Sequence, residues 1–197
     1  MPDRTTPQTV GVVLFDDVEI LDFAGPYEVL CRASNATGSP LLTVRTVAAD
    51  RQVTCYGGLR VIVDSTLDDC PWLDAIIVPG GPGADNPTEE QQAIIPFVQR
   101  RAADSQIVAS VCTGAFILGR AALLDGRRAT THPGLLDAFR AEFPRVDAVV
   151  AKVVDEGTII TAGGVSSGID LALYLIQKWF GDEVRRRSAR NLDGPWQ

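Results

Sequence analysis

Short apolar runs alternate along the chain with longer segments whose apolar residues return every three or four positions. Residues 10–15 (Val-Gly-Val-Val-Leu-Phe) are a near-continuous apolar run, the pattern of a strand buried on both faces. From about residue 19 to residue 31 the spacing becomes helical, with Ile20, Phe23, Ala24, Tyr27 and Leu30 in register. Pro26 fits only near the beginning of such a helix, which places Asp22 close to its N-terminus. Residues 41–48 predict a second strand. Residues 52–54 and 59–63, joined through Tyr56-Gly57-Gly58, predict a hairpin. Residues 64–73 read as loop and turn. A strand over 74–78 ends in Pro79-Gly80-Gly81-Pro82-Gly83, and a helix N-capped by Thr88 runs to about Asp104.

In the second half, residues 107–111 form another apolar, β-branched run. It passes without a linker through Cys112-Thr113-Gly114 into a helix-like segment that closes at Leu124-Asp125-Gly126. A short strand over 129–131 leads to His132-Pro133, and a helix covers about 134–142. Residues 147–161 read as a hairpin, 162–164 as a glycine loop, and 167–180 as a long amphipathic helix. The division is therefore a flexible tail over 1–9, a single α/β domain over 10–181 and a polar, partly disordered tail over 182–197. Alternation of strand and helix predicts an α/β sandwich with a mostly parallel sheet. Active sites of such sheets lie at the carboxyl ends of the strands. That rule singles out the loops at Gly80-Gly81, Cys112 and His132, and the helix start carrying Asp22.

Composition narrows the classes. With 197 residues, 46% of them hydrophobic, one domain with a full core is the default. The net charge of −7 and the lack of a long Lys/Arg run argue against a nucleic-acid groove. Arg185-Arg186-Arg187 reads as a solvated helix near the end, and the residues present leave no room for a helix-turn-helix module. No apolar run is long enough to span a bilayer, and residues 1–9 lack the apolar core of a signal peptide. The four cysteines form no C-x-x-C and no zinc spacing with His132, the single histidine. A reducing cytoplasm and a site without metal or organic cofactor are expected. The Gly80-Gly81-Pro82-Gly83 stretch matches neither phosphate-loop nor dinucleotide patterns.

The sharpest chemistry is at Cys112. A strand that turns abruptly into a helix holds the side chain at the bend among the N–H groups of the helix start, the geometry of a nucleophile elbow. Those groups favour thiolate, the nucleophilic form. A carboxyl beside such a thiolate shares a proton with it, its pKa raised, and serves as general acid and base in turn. Asp22 also has a plainer reading, as an acid stabilising its helix dipole. His132 reads as a structural hydrogen-bonding residue beneath the site or as a proton donor. Cys31 and Cys70 read as packing residues, Cys55 as exposed or at a dimer contact, Trp72 and Trp179 as core or interface, and Asp170 as structural.

Five motifs carry a family resemblance: Leu21-Asp22-Phe23-Ala24-Gly25-Pro26; Val78-Pro79-Gly80-Gly81; Ser110-Val111-Cys112-Thr113-Gly114; the stretch from Leu123 through Thr130-Thr131-His132; and Thr161-Ala162-Gly163-Gly164 followed by Gly168-Ile169-Asp170. In this order they resemble the ThiJ/PfpI superfamily, relatives of the class I glutamine amidotransferase domain, and within it the isonitrile hydratase branch. They also resemble sensor domains fused to AraC-type regulators. The resemblance implies a flavodoxin-like three-layer α/β/α sandwich, a homodimer, Cys112 as nucleophile and Asp22 as its acid. Gly81 and Thr113 N–H groups match the oxyanion pocket, with Gly80 and His132 beside the substrate. The protease-like branch has His directly after the cysteine; Thr113 stands there instead. The implied activity is hydration of an isonitrile, a small-molecule substrate, to an N-substituted formamide through a thioimidate on Cys112. Glyoxalase, deglycase or amidase action, and a cysteine-based redox or ligand sensor, are the alternatives.

Overall fold

A computed structural model describes residues 8–85, 89–193 and 195–196. The first strand, β1 (Gln8–Val13), is followed by α1 (Ile20–Cys31), β2 (Leu42–Ala48), β3 (Gln52–Thr54), β4 (Arg60–Ile62), β5 (Ser65–Thr66) and β6 (Ala75–Val78). Next come α2 (Pro82–Asp85), α3 (Glu89–Asp104), β7 (Ile107–Val111), α4 (Gly114–Arg120) and β8 (Arg128–Ala129). A 3-10 turn (Pro133–Leu135) leads into α5 (Leu136–Glu142), then β9 (Asp147–Ala148), β10 (Val153–Asp155), β11 (Ile159–Ala162), α6 (Ser167–Phe180) and α7 (Asp182–Arg190). One seven-stranded sheet has the order β10-β11-β7-β6-β1-β2-β5. Every pairing in it is parallel except the β10–β11 hairpin. The hairpin over 52–62 forms as expected, Val53 opposite Val61.

Successive residues of a strand face opposite sides of a sheet. In β6 this sends Ile76 and Val78 into one core, with Ile94, Phe97, Phe116, Ile117 and Phe139. Ala75 and Ile77 enter the other, with Val29, Leu30, Leu171, Leu175 and Ile176. Helices α3, α4 and α5 thus cover one face; α1, α6 and α7 cover the other. The molecule is a three-layer α/β/α sandwich with a mostly parallel sheet, and the buried strands are the continuous apolar runs of the sequence.

Several boundaries differ from the expectations. Gln8 and Thr9 are strand, not tail: Gln8 N–H donates to Leu41 O and Thr9 N–H to the Asp74 carboxylate, so backbone pairing overrides their polarity. Residues 182–190 are helix, not tail. Ion pairs from Arg185 and Arg186 to Asp182 brace α7, while Ser188 and Ala189 are buried. Its inward face is a short stripe of Val184, Ser188 and Ala189 in an otherwise charged segment. Pro26 lies inside α1 rather than at its start. Cys55 is buried, with its N–H donating to Leu59 O across the hairpin turn, whereas Cys31 and Trp72 are exposed. The expected Thr88 cap lies outside the described residues. Among the described residues no helix is long and apolar enough to cross a membrane, and no three His, Cys, Asp or Glu side chains cluster as a metal site.

Candidate active site

The carboxyl ends of β1, β6, β7 and β8 bring the predicted residues to one region. Strand β7 ends at Val111, and Cys112 takes a φ of +55°, a left-handed conformation that costs a non-glycine residue strain. Three hydrogen bonds hold it there. The Cys112 N–H is shared between Ala162 O (3.0 Å) and Gly163 O (2.8 Å), and Thr131 Oγ1–H donates to Cys112 O (2.9 Å). The next residue but one must be glycine: a Cβ on Gly114 would lie 2.1 Å from Val78 O. Strand β6 and α4 therefore meet backbone to backbone at the elbow.

Asp22 stands in the first turn of α1 and is fully buried. Its Oδ2 accepts the Gly80 N–H at 2.9 Å, while Oδ1 has no hydrogen-bond partner. Thr113 Oγ1 accepts the Gly81 N–H at 2.9 Å and lies 3.2 Å from Gly81 O. These contacts need a loop without side chains. A Cβ on Gly80 would lie 2.5 Å from Thr113 Oγ1 and 2.8 Å from Asp22 Oδ2; one on Gly81, at φ +145°, would lie 2.3 Å from Asp17 O. The Pro-Gly-Gly signal thus marks a surface against which the acid and the elbow pack, not a phosphate loop.

The electrostatics correct one expectation. The Cys112 thiol is pushed up to about 12, chiefly by burial and then by the Asp22 charge, against the Thr113 N–H that favours thiolate. A seven-residue α4 does not overcome the desolvation of a sulfur that is only 6% exposed. Asp22 is raised from 3.8 to about 7, again chiefly by burial. The Gly80 N–H and the Cys112 thiol oppose that rise, and the Glu19 charge adds to it. Burial thus favours the protonated form of both groups. Full burial and the unpartnered Oδ1 set Asp22 apart from an exposed acid at a helix start.

A cavity of about 450 Å³ opens over the sulfur. Cys112, Thr113, Gly81 and His132 line it, as the sequence led us to expect. Gly80 and Asp22 are not in its lining. Glu19, Pro82, Gly134, Leu135 and Val165 complete it, and sequence reasoning missed all five. Glu19 and Pro82 flank predicted site residues, so adjacency to the Asp22 and Gly81 motifs was the available signal; Leu135 and Val165 had none. His132 sits at the cavity wall, its Nδ1 accepting the Gly134 N–H at 3.1 Å, rather than beneath the elbow. The Gly81 N–H, expected as an oxyanion donor, is occupied by Thr113 Oγ1. Asp170 pairs with Lys152 at 3.4 Å and has no part in the cavity.

A cysteine on a strand-to-helix bend, met by a buried acid from the first helix of a parallel α/β sandwich, defines a class. The chain belongs to the DJ-1/PfpI family, whose model matches residues 8–178. It is 41% identical over 175 residues to an isonitrile hydratase of Pseudomonas putida, covering 87% of this chain and 72% of that protein. It is 31% identical over 184 residues to the HTH-type transcriptional regulator GbdR of Pseudomonas aeruginosa, covering 93% of this chain and 50% of that protein. The chain thus spans half the length of that regulator. Among solved structures, a DJ-1 superfamily protein of Salmonella typhimurium, crystallised as a cysteine-to-alanine mutant, superposes with a TM-score of 0.80 at 30% identity. That match covers 96% of this chain and all of the other.

Proposed function

We propose that the protein adds water to an isonitrile, R–N≡C, and releases the N-substituted formamide. The observation that carries the reading is the Cys112–Asp22 pair, an elbow cysteine beside a fully buried carboxyl whose Oδ1 has no hydrogen-bond partner. The 41% identity to an isonitrile hydratase supports it.

An isonitrile is a neutral molecule whose terminal carbon takes both a nucleophile and a proton. Cys112 sulfur attacks that carbon while the Asp22 carboxylate takes the thiol proton and delivers it to the same carbon. A C–S and a C–H bond form, the C–N triple bond becomes double, and the product is the thioimidate R–N=CH–S–Cys112. Asp22, again a carboxylate, takes a proton from water as the water oxygen attacks the carbon, and the proton passes to nitrogen. Finally Asp22 takes the hydroxyl proton; C=O forms, the C–S bond breaks and the sulfur recovers the proton. The products are R–NH–CHO and free thiol. One carboxylate moves one proton in each stage, a task suited to a group that titrates near neutrality. No redox or metal step enters this balance.

Incubation with cyclohexyl isocyanide, followed by detection of N-cyclohexylformamide, tests the reading. Cys112→Ala and Asp22→Asn should each lower turnover by about a thousandfold or more while the fold persists. Turnover near the wild-type level in either variant would rule the mechanism out. Sensing through cysteine oxidation is a weaker reading, because oxidation tracks thiolate character and the Cys112 pKa is raised, not lowered.

A further inference from the structure

We propose that Glu19 selects substrates by charge: the cavity accepts isonitriles whose R group is uncharged and turns away those that carry a carboxylate; this rests on the hydratase reading. Among the described residues that line the cavity, Glu19 is the sole Asp or Glu, and no Lys or Arg stands beside it. Pro82, Leu135 and Val165 add apolar surface. The Glu19 backbone is pinned at the glycine loop. Its N–H donates to Gly80 O at 2.9 Å, its carbonyl accepts the Asp22 N–H at 3.2 Å, and a Cβ on Gly81 would lie 2.6 Å from its nitrogen. The side chain has no such task. Glu19 holds the N-cap position of α1, yet its carboxylate caps no helix N–H and meets no cation among the described residues. It is half-buried at the cavity wall, and its charge reaches Asp22, whose pKa it raises.

Repulsion between like charges needs no contact and no particular rotamer. A compact cavity of about 450 Å³ is about 10 Å across, within one Debye length at about 0.1 M salt. A carboxylate on R therefore feels Glu19 wherever in the cavity it lies. It also leaves water for a wall that offers it no cation, so its desolvation goes uncompensated. An aliphatic R group incurs neither penalty and gains the apolar surface of Pro82, Leu135 and Val165. Selection of this kind works by excluding one class of substrate rather than by fitting the other more tightly.

Two isosteric pairs test it. Isocyanoacetate and isocyanoacetamide differ as a carboxylate and an amide, and so do the wild type and Glu19→Gln. Each protein is assayed with each substrate, and the quantity read is kcat/KM for the anion divided by kcat/KM for the amide. In the wild type this ratio should be about 0.1 or less, and Glu19→Gln should raise it about 10-fold. Raising the ionic strength from about 0.02 to about 0.5 M should raise the wild-type ratio and move that of the variant less. Glu183→Gln, on α7, removes the same unit of net charge outside the cavity and should leave the ratio within about twofold. An acid that only serves the helix dipole would alter the melting temperature of Glu19→Gln and not the ratio. A wild-type ratio of one or more, an unchanged ratio in Glu19→Gln, or an equal rise in Glu183→Gln overturns the inference. A wild type inert toward both substrates and toward cyclohexyl isocyanide overturns the hydratase reading and this inference with it. A wild type that hydrates the anion and the amide equally well overturns the inference alone.

Discussion

Asp22 illustrates how burial alone converts an ordinary acid into a functional one. Its carboxyl meets the Gly80 N–H and the Cys112 thiol, and no cation among the described residues compensates it. The folded pKa of about 7 lies above the unfolded value near 3.8, so the native state binds more protons between the two. Stability is therefore greatest below about pH 4 on this account and falls as pH rises toward and through 7. At about 1.4 kcal/mol per pKa unit the loss is at most about 4 kcal/mol. Asp22→Asn removes the titration. Relative to wild type, its stability in urea should improve steadily from pH 5 to pH 8; a difference independent of pH would contradict the assignment.

The elements owe their positions to close backbone approaches. Helix α6 reaches α1 at Gly168, where a Cβ would lie 2.9 Å from Pro26 Cδ and 3.4 Å from Asp22 O. Gly168→Ala must shift α1, and Asp22 shifts with it. It should cost about 1–3 kcal/mol in thermal unfolding, and turnover should fall more than the Asp22-independent fold signal. This contact explains why Pro26 misled the reading of α1. Proline costs a helix an N–H and a steric clash, which sets it at a helix start on local grounds. A neighbouring glycine that makes room for its ring is invisible without the fold. The elbow, by contrast, was legible, since an apolar β-branched run, a cysteine and a glycine impose strand, bend and helix locally. The thiol's protonation was not, because desolvation depends on the cavity around it.

At the level of the three layers, the sheet and most helices were legible from alternating periodicity, whereas α7 was hidden by its charge. Its inward face is Val184, Ser188 and Ala189, a stripe too short to stand out in so charged a segment. Ala189→Asp should therefore destabilise the protein by about 3 kcal/mol or more, since it inserts an unpaired charge into the layer under α6 and α7. A urea midpoint unchanged from wild type would return the segment to the status of a tail. The cavity was half legible for a related reason. Glu19, Gly81, Cys112, His132 and Val165 meet only because the crossovers of a parallel sheet bring the same strand ends together.

The clamp on the nucleophile has a consequence in time. Cys112 offers its N–H to Ala162 and Gly163, which lie about fifty residues further along the chain. Long-range closures of this kind come late in folding, after local helices and hairpins have formed. Until β11 docks beside β7, two of the three hydrogen bonds that hold the strained φ of +55° are missing, and the bend can relax. In the unfolded chain the Cys112 thiol and the Asp22 carboxyl are separate, solvated groups far apart in sequence. The reactive pairing is completed only when the late strand arrives, so assembly itself times the onset of reactivity.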